Sequence, residues 1–425
     1  MGLYTNAFLF AGVGYLSFMV SLLFEPVQRN LVFLYRLRLG SKETLYHPES
    51  AGFAQNQVAP FWITMPDGVK LFGWHILPLD VYAAHKEELR ARSATLDAID
   101  SGELAEGHLE ILKNDPDARV MIYFHGNSGC ISSMHRPDIY RSLISTSPAH
   151  THLFVVDYRG FGISSGTPTE DALISDGAVT AKTILNMTAV SPDRTILIGQ
   201  SLGTGVIIGA ADLLAQSDSK LEFRGLVPIA GFASIEELLS TYKIFGIIPV
   251  LAPFRRFKAL EKLFSRQLQY KFHSDVRIER FVRNSRRTKV LVVHSFDDEQ
   301  IPYFHGEKLA EAAIKGAVES EADGASQSSG GLLKRFVEMS DDDRSGVFDV
   351  VSVGDLQARE YVFWQKFGGI TEVVEDYVEL VDESTVSPVS EVRRIGMLAV
   401  KWGGHNIVPK STDVVLAIRN ILYED

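Results

Sequence analysis

Residues 195–206 read TILIGQSLGTGV. The aliphatic run Thr195 to Ile198 predicts a short buried strand, and the apolar stretch Leu202 to Leu214 predicts a helix. Between them lies Gly199-Gln200-Ser201-Leu202-Gly203, a G-x-S-x-G turn in a strand–turn–helix setting. Glycines are needed on both flanks because bulkier side chains would collide with the neighbouring strand and helix. Such a turn lifts Ser201 clear of the sheet. It also leaves the backbone N–H of Leu202 at a helix N-terminus, where it can meet a developing oxyanion. Ser201 is therefore the candidate nucleophile and Leu202 a candidate oxyanion donor.

The same rhythm extends outward in both directions. Strands are expected at Val120 to Phe124, Leu153 to Val156, Leu226 to Ile229, Val290 to Val293 and Ile395 to Val400. Helices are expected near Pro137 to Ile144, Glu170 to Leu185 and Thr412 to Leu422. Aliphatic strands separated by amphipathic helices imply a mostly parallel sheet covered on both faces. Upstream, Phe61 to Met65 and Leu71 to Leu77 flank Pro66-Asp67-Gly68 and read as a hairpin. Residues 83–113 are charged and helix-prone, and read as a surface insertion. Residues 232–288 form a long insertion after one strand. Residues 316–350 are rich in Ser, Gly, Asp and Glu, the composition of a disordered loop.

A serine hydroxyl needs a base to take its proton, and the base needs an acid to orient it. Of twelve histidines, His405 lies in Trp402-Gly403-Gly404-His405-Asn406, between the last expected strand and the last helix, where a loop can reach the turn. His294 ends a strand and His305 begins a helix, so both read as structural. The acid comes from Ser295-Phe296-Asp297-Asp298-Glu299-Gln300-Ile301-Pro302. Asp298 stands four residues before the proline and is the preferred choice, with Asp297 as the alternative. The loop after VMIYF reads His125-Gly126-Asn127-Ser128-Gly129. Its Asn127 N–H is the expected second oxyanion donor, with Ser128 the alternative and His125 a brace. Asp157-Tyr158-Arg159-Gly160-Phe161-Gly162 reads as a turn buttressing the site.

Ala7 to Phe24 is 18 residues without a charge. As a helix it would span ~27 Å, close to the ~30 Å of a bilayer core. A signal peptide or a buried helix would have similar composition, but no basic n-region precedes the stretch and no small-x-small cleavage site follows it. It is expected to be a retained anchor. Arg29, Arg36, Arg38 and Lys42 follow it and favour a cytosolic catalytic part, whereas the sequon Asn186-Met187-Thr188 would matter only in a lumen. A net charge of −11 argues against a general nucleic-acid binder. The single cysteine, Cys130, rules out an intrachain disulfide. No residues have metal-ligand spacing and no nucleotide-binding loop is present, so no metal or cofactor is implied.

The segments YFHGNSG with His135-Arg136, DYRGFGISSGTPTE, GQSLGTGV and HSFDDEQIP resemble the α/β-hydrolases. The resemblance is to their membrane-anchored branch of monoacylglycerol and lysophosphatidylserine lipases, over roughly residues 60 to 310 and the His405 region. It implies an α/β-hydrolase fold with helices on both faces and a helical lid insertion, plus an N-terminal transmembrane helix. It carries over Ser201, Asp298 and His405 as the triad. It also implies a lipid ester substrate and a single-pass membrane location, commonly the endoplasmic reticulum. The chain departs from the pattern in a long insertion between the Asp and His motifs, residues 316–394. On this reading residues 1–42 are anchor and juxtamembrane segment and 55–425 the hydrolase domain. The lid is expected over 232–288, because Ile244 to Phe254 is almost wholly apolar. In addition, 255–289 holds twelve Lys or Arg against Glu261, Asp275 and Glu279, with aromatics interleaved. A serine peptidase or protein thioesterase on the same fold is the competing function, since fold does not fix substrate; an inactive membrane scaffold is the third.

Overall fold

The structure is a computed structural model. It describes residues 13–15, 17–18, 20–37, 40–92, 99, 102–218, 220–241, 265–285, 287–322, 350–352, 361–366 and 394–423. Its strands are β1 (Val58–Thr64), β2 (Lys70–Ile76), β3 (Arg119–Phe124), β4 (Thr151–Val156), β5 (Thr195–Gln200), β6 (Gly225–Ile229), β7 (Lys289–Ser295), β8 (Val350–Ser352), β9 (Tyr361–Lys366) and β10 (Arg394–Val400). The longer helices are α1 (Glu25–Phe33), α2 (Glu103–Lys113), α3 (Arg136–Ile144), α4 (Glu170–Thr188), α5 (Leu202–Ala215), α6 (Ile235–Thr241), α7 (Ser274–Asn284), α8 (Phe304–Ala322) and α9 (Thr412–Tyr423).

The strands form one sheet in the order β1-β2-β4-β3-β5-β6-β7-β10-β9-β8. β1 and β2 are the expected antiparallel hairpin, with Phe61 opposite Gly73. From β4 through β3, β5, β6, β7 and β10 every pairing is parallel. This is the mostly parallel sheet of an α/β-hydrolase with two strands added beyond β10. Those two, β9 parallel to β10 and β8 antiparallel to β9, lie in the long insertion, where no strand is expected from composition. The helix α8 likewise runs on to Ala322, into the first residues of the stretch read as disordered. Residues 323–349 lie outside the described residues.

Alternation along the strands builds two cores. In β3, Val120, Ile122 and Phe124 enter one and Met121 and Tyr123 the other; in β7, Val290 and Val292 separate from Leu291 and Val293 in the same way. A period of two sends successive side chains to opposite faces. The first face is covered by α2, α4, α5, α7 and α8, the second by α3 and α9. The charged stretch 83–113 is less superficial than its composition implies. Leu104, Ala105 and Leu112 of α2 join the main core. Its charged residues Glu106, Glu110 and Lys113 face outward while the apolar ones recur at helical spacing.

In two stretches the described residues pack differently from what the sequence suggests. Helix α7 lies in the stretch read as a lid, but Ile278, Phe281 and Val282 are buried in the core. Its basic side chains are paired with acids: Arg277 with Glu170 and Arg280 with Asp212 from other helices, and Arg283 with Glu279 one turn back in the same helix. Tyr270 and Phe272 are likewise core residues. The local excess of positive charge is thus partly neutralised across the fold, a pairing that a sequence window cannot see. Residues 242–264, with the apolar run Ile244 to Phe254, lie outside the described residues.

The second concerns the N-terminus. Among the described residues no helix is long and apolar enough to cross a membrane; residues 1–12, 16 and 19 lie outside them, and with them eight of the eighteen residues of Ala7 to Phe24. Val13, Val20, Leu23 and Phe24 are exposed, whereas Leu22 and Phe33 are completely buried in the main core. Burying a ring such as Phe33 contributes about 1.5–3 kcal/mol. The stretch that follows Phe24 therefore packs against the main core through Phe33.

Candidate active site

The turn at Ser201 is held by close contact on both sides. Ser201 has φ 53° and ψ −117°, a backbone conformation that a non-glycine residue adopts only under constraint. Its N–H donates to the carbonyl of Ile229 on β6 at 3.0 Å. A Cβ on Gly203 would overlap the carbonyl of Phe124, and one on Gly199 would overlap the carbonyl of Gly203. Both glycines are thus required by approach of backbone to backbone. Leu202 opens α5, so its N–H has no acceptor within the helix.

Asp298 and His405 are in contact. The His405 ring donates from Nδ1 to Asp298 Oδ2 at 2.8 Å. Oδ1 of Asp298 accepts the N–H groups of Gln300 and Ile301, each at 2.9 Å. Burial alone would raise the pKa of this carboxyl. The attraction of His405 and hydrogen bonds from His294 and His405 outweigh it, and hold Asp298 well below the usual carboxylate range. Asp298 is therefore ionised throughout the range in which a histidine base works. The loop carrying His405 is tied to the nucleophile turn, since Gln200, the neighbour of Ser201, donates from Nε2 to the His405 carbonyl at 2.9 Å. Tyr123 in turn fixes that amide through its hydroxyl, 2.6 Å from Gln200 Oε1. Among the described residues no hydrogen bond joins Ser201 Oγ to the His405 ring; such bonds are often long in resting sites and tighten with substrate.

Asp297, the alternative acid, is occupied otherwise. It accepts the N–H groups of Gly404 at 2.7 Å and Gly403 at 3.3 Å, and the Ser295 hydroxyl. It holds the loop that presents His405. His294, read as structural, stands beside the acid, with Nε2 2.9 Å from the Ile301 carbonyl and 3.5 Å from Asp298 Oδ2. His305 accepts the Ala233 N–H on Nδ1 at 3.4 Å.

In the loop after β3, Ser128 N–H donates to the Phe33 carbonyl at 3.0 Å and Gly129 N–H to the Leu37 carbonyl at 3.2 Å. The Asn127 N–H has no acceptor among the described residues, so of the two candidate oxyanion donors only Asn127 is free. A Cβ built on the adjacent Gly126 would stand 3.3 Å from Ser201 Cβ, which puts this loop directly against the nucleophile. His125 has Nδ1 2.6 Å from the Gly126 carbonyl and Nε2 3.1 Å from Asp157 Oδ1. Both nitrogens face acceptors, leaving neither to take a proton from Ser201. The Asp157–Gly162 turn braces it further: Tyr158 donates its hydroxyl to the His125 carbonyl at 2.6 Å.

A residue without an assigned role in the sequence proves central to this loop. Arg136, buried at the start of α3, donates from Nη1 to the Cys130 carbonyl at 2.6 Å, and from Nη2 to those of Gly126, Asn127 and Ser128 at 2.9–3.0 Å. One planar guanidinium thus gathers four carbonyls on one side of the loop. The only signal in the sequence is its place in the segment YFHGNSG…His135-Arg136, which marks it without saying why. No group of residues among those described could hold a metal ion.

No family model matches the chain. It is 26% identical over 289 residues to the lysophosphatidylserine lipase ABHD12 of Danio rerio, covering 68% of this chain and 67% of that protein. The lipase of the same name from Mus musculus is 26% identical over 286 residues, covering 67% and 63%. Protein ABHD12B of Homo sapiens is 29% identical over 199 residues, 46% of this chain and 49% of that one. The chain thus spans about two thirds of the length of the lipases it matches. Among solved structures, an α/β-hydrolase from Vibrio vulnificus has a TM-score of 0.46 at 16% identity, covering 69% of this chain and 84% of that one. With its mostly parallel sheet and strand–turn–helix serine, the chain has the layout expected of the α/β-hydrolase fold, and in sequence it is similar to proteins named lysophosphatidylserine lipase.

Proposed function

We propose that the chain is a serine hydrolase that cleaves carboxylic esters of lipids, lysophospholipid or monoacylglycerol, through an acyl-enzyme. The observation that carries this reading is the Asp298–His405 bond on a loop pinned to the neighbour of Ser201. His405 Nε2 takes the Ser201 Oγ proton as Oγ attacks the ester carbonyl, and Asp298 stabilises the imidazolium. The carbonyl oxygen gains negative charge and is met by the N–H groups of Asn127 and Leu202. Collapse expels the alcohol, which leaves with the proton from His405. Water then enters, gives its proton to His405 and releases the fatty acid, restoring Ser201.

The relatives named as lysophosphatidylserine lipases support a lysophospholipid head group. Membrane association belongs to the same proposal, with a single-pass anchor at the endoplasmic reticulum. It is supported by the uncharged run Ala7 to Phe24 and by the exposed Val13, Val20, Leu23 and Phe24 at its described end. The test is a comparison of the full chain and Ser201→Ala in detergent, by fluorophosphonate labelling and by turnover of lysophosphatidylserine, lysophosphatidylcholine and monoacylglycerol. Labelling and turnover should both vanish in the variant, the rate falling by at least about 10³-fold. Labelling that persists in Ser201→Ala, or a wild type inert to all three lipids, would overturn the proposal.

A further inference from the structure

Helix α1 is fixed to the body at both ends. Near its start, Gln28 donates from Nε2 to the carbonyls of Leu22 at 2.8 Å and Gln267 at 3.1 Å, and its Oε1 accepts the Gln269 N–H at 2.9 Å. Arg29 donates to the Tyr270 hydroxyl at 3.2 Å, and that hydroxyl donates to Glu25. Near its end, the fully buried Phe33 sets its ring edge-on to Tyr270 and Phe272, with centroids 5.0 and 6.2 Å away. The chain then turns at Leu34, in the left-handed region with φ 47°. That turn aims the carbonyls of Phe33 and Leu37 at the N–H groups of Ser128 and Gly129. Asn127 Nδ2 meets the Val32 carbonyl at 3.5 Å. Tyr35 packs on Phe161, which itself packs on His125.

The loop beside Ser201 is therefore gripped from two sides. Arg136 takes its carbonyls, and the segment after the apolar N-terminal stretch takes two of its three successive N–H groups. The third, Asn127 N–H, has no acceptor among the described residues. A loop held only by Arg136 could rotate its peptide planes and turn that N–H away from the reacting carbonyl. We infer that the segment Glu25–Leu37 is a wall of the active site, with Phe33 as a positioning residue that sets the oxyanion loop. The rate of hydrolysis is thereby tied to the docking of the helix that leads out of the apolar stretch. The inference rests on the proposed function for its catalytic consequence, but its structural half does not.

The experiment uses the full chain in detergent and the variants Phe33→Ala and Phe33→Leu. Amide hydrogen exchange is followed in peptides covering residues 126–131, and kcat and KM are measured with p-nitrophenyl butyrate, an ester too short to need a lipid site. In Phe33→Ala, exchange at Ser128 and Gly129 should quicken by about tenfold or more. kcat should fall about tenfold to a hundredfold with KM within about twofold, because a misplaced donor acts on the transition state and not on binding. Phe33→Leu should restore most of both. Unchanged exchange would overturn the inference whatever the activity. Faster exchange with kcat within about twofold of wild type would overturn the tie to catalysis. A wild type that turns over no ester would count against the proposed function, and exchange alone would then decide the wall. If Phe33→Ala does not accumulate as a folded chain, Gln28→Ala is read by the same outcomes.

Discussion

Asp297 and Gly404 are joined by a hydrogen bond of 2.7 Å, and this bond divides the labour between two adjacent acids. By holding the turn at Gly403 and Gly404, Asp297 delivers the next residue, His405, to Asp298 at 2.8 Å. Neighbouring carboxylates thus act at different points, one on the backbone of the loop and one on the ring it carries.

Substituting the two acids should therefore have unequal effects. Asp298→Asn replaces the acceptor of the His405 Nδ1 proton with an amide that can force the wrong tautomer, and kcat should fall by about 10⁴-fold. Asp297→Asn keeps an oxygen for the Gly404 N–H and loses its charge and the longer bond from Gly403, so kcat should fall by about tenfold or less. The comparison is steady-state turnover of the two variants on one ester. A larger loss in Asp297→Asn would make Asp297 the acid.

Arg136 supplies a second unequal pair of substitutions. Lysine preserves the charge but presents three donors from one point, and cannot span the carbonyls of Cys130, Gly126, Asn127 and Ser128. Arg136→Lys and Arg136→Met should both lower kcat by about tenfold or more with little change in KM. Both should also lower unfolding stability by about 2–4 kcal/mol, since buried carbonyls lose their donor. Urea unfolding and steady-state kinetics read the two effects. If Arg136→Lys kept the wild-type kcat, charge and not geometry would be what the loop requires.

What could be read from the chain before folding follows a physical divide. The strands from β3 to β7 and β10, and the residues Ser201, Asp298 and His405, are legible because each is encoded locally. An aliphatic run, a glycine-flanked serine and a histidine after the last strand are short-range patterns. The grip of Phe33 and Leu37 on Ser128 and Gly129 is not legible, because it joins main-chain atoms of distant segments and any side chain could carry those carbonyls. Arg136 is hidden for the opposite reason: an arginine opening a helix is ordinarily a surface residue. The basic character of 255–289 misleads because Glu170 and Asp212, which pair with Arg277 and Arg280, lie far away in sequence. The strands β8 and β9 (VVS and YVFWQK) are short runs of β-branched and aromatic residues, a signal easily passed over inside an insertion that is otherwise largely polar.

Away from the site, His75 on β2, His152 on β4 and His108 on α2 form a buried group. His75 Nε2 and His152 Nδ1 are 3.0 Å apart, and the His75 ring stands 5.4 Å from that of His108. His108 donates from Nε2 to the Asn56 carbonyl at 2.9 Å, while its Nδ1 has no hydrogen-bond partner among the described residues. A proton added there would be fully buried. Burial first, and then the neighbouring His152 and His108, push His75 well below the usual histidine value; burial pushes His108 down to about 4; burial and then His108 push His152 down to about 3. In the unfolded chain all three titrate near 6.5. Between that value and the folded ones, the unfolded chain binds more protons than the folded one. The stability from these rings is therefore complete above about pH 6.5 and is lost as the pH falls toward about 4, at up to about 1.4 kcal/mol per pH unit for each ring. The depressed carboxyl of Asp298 acts in the same direction, but only below about pH 4, where an unfolded aspartate takes its proton. The two contributions are thus separable. His108→Gln keeps a donor for the Asn56 carbonyl and removes one titration. Urea unfolding of the wild type should show stability falling steadily from about pH 6.5 to about pH 4.5, and His108→Gln should lessen that slope by up to one proton. A wild-type stability that is flat across this window, or a variant with an unchanged slope, would show that these rings are not buried neutral in the folded chain.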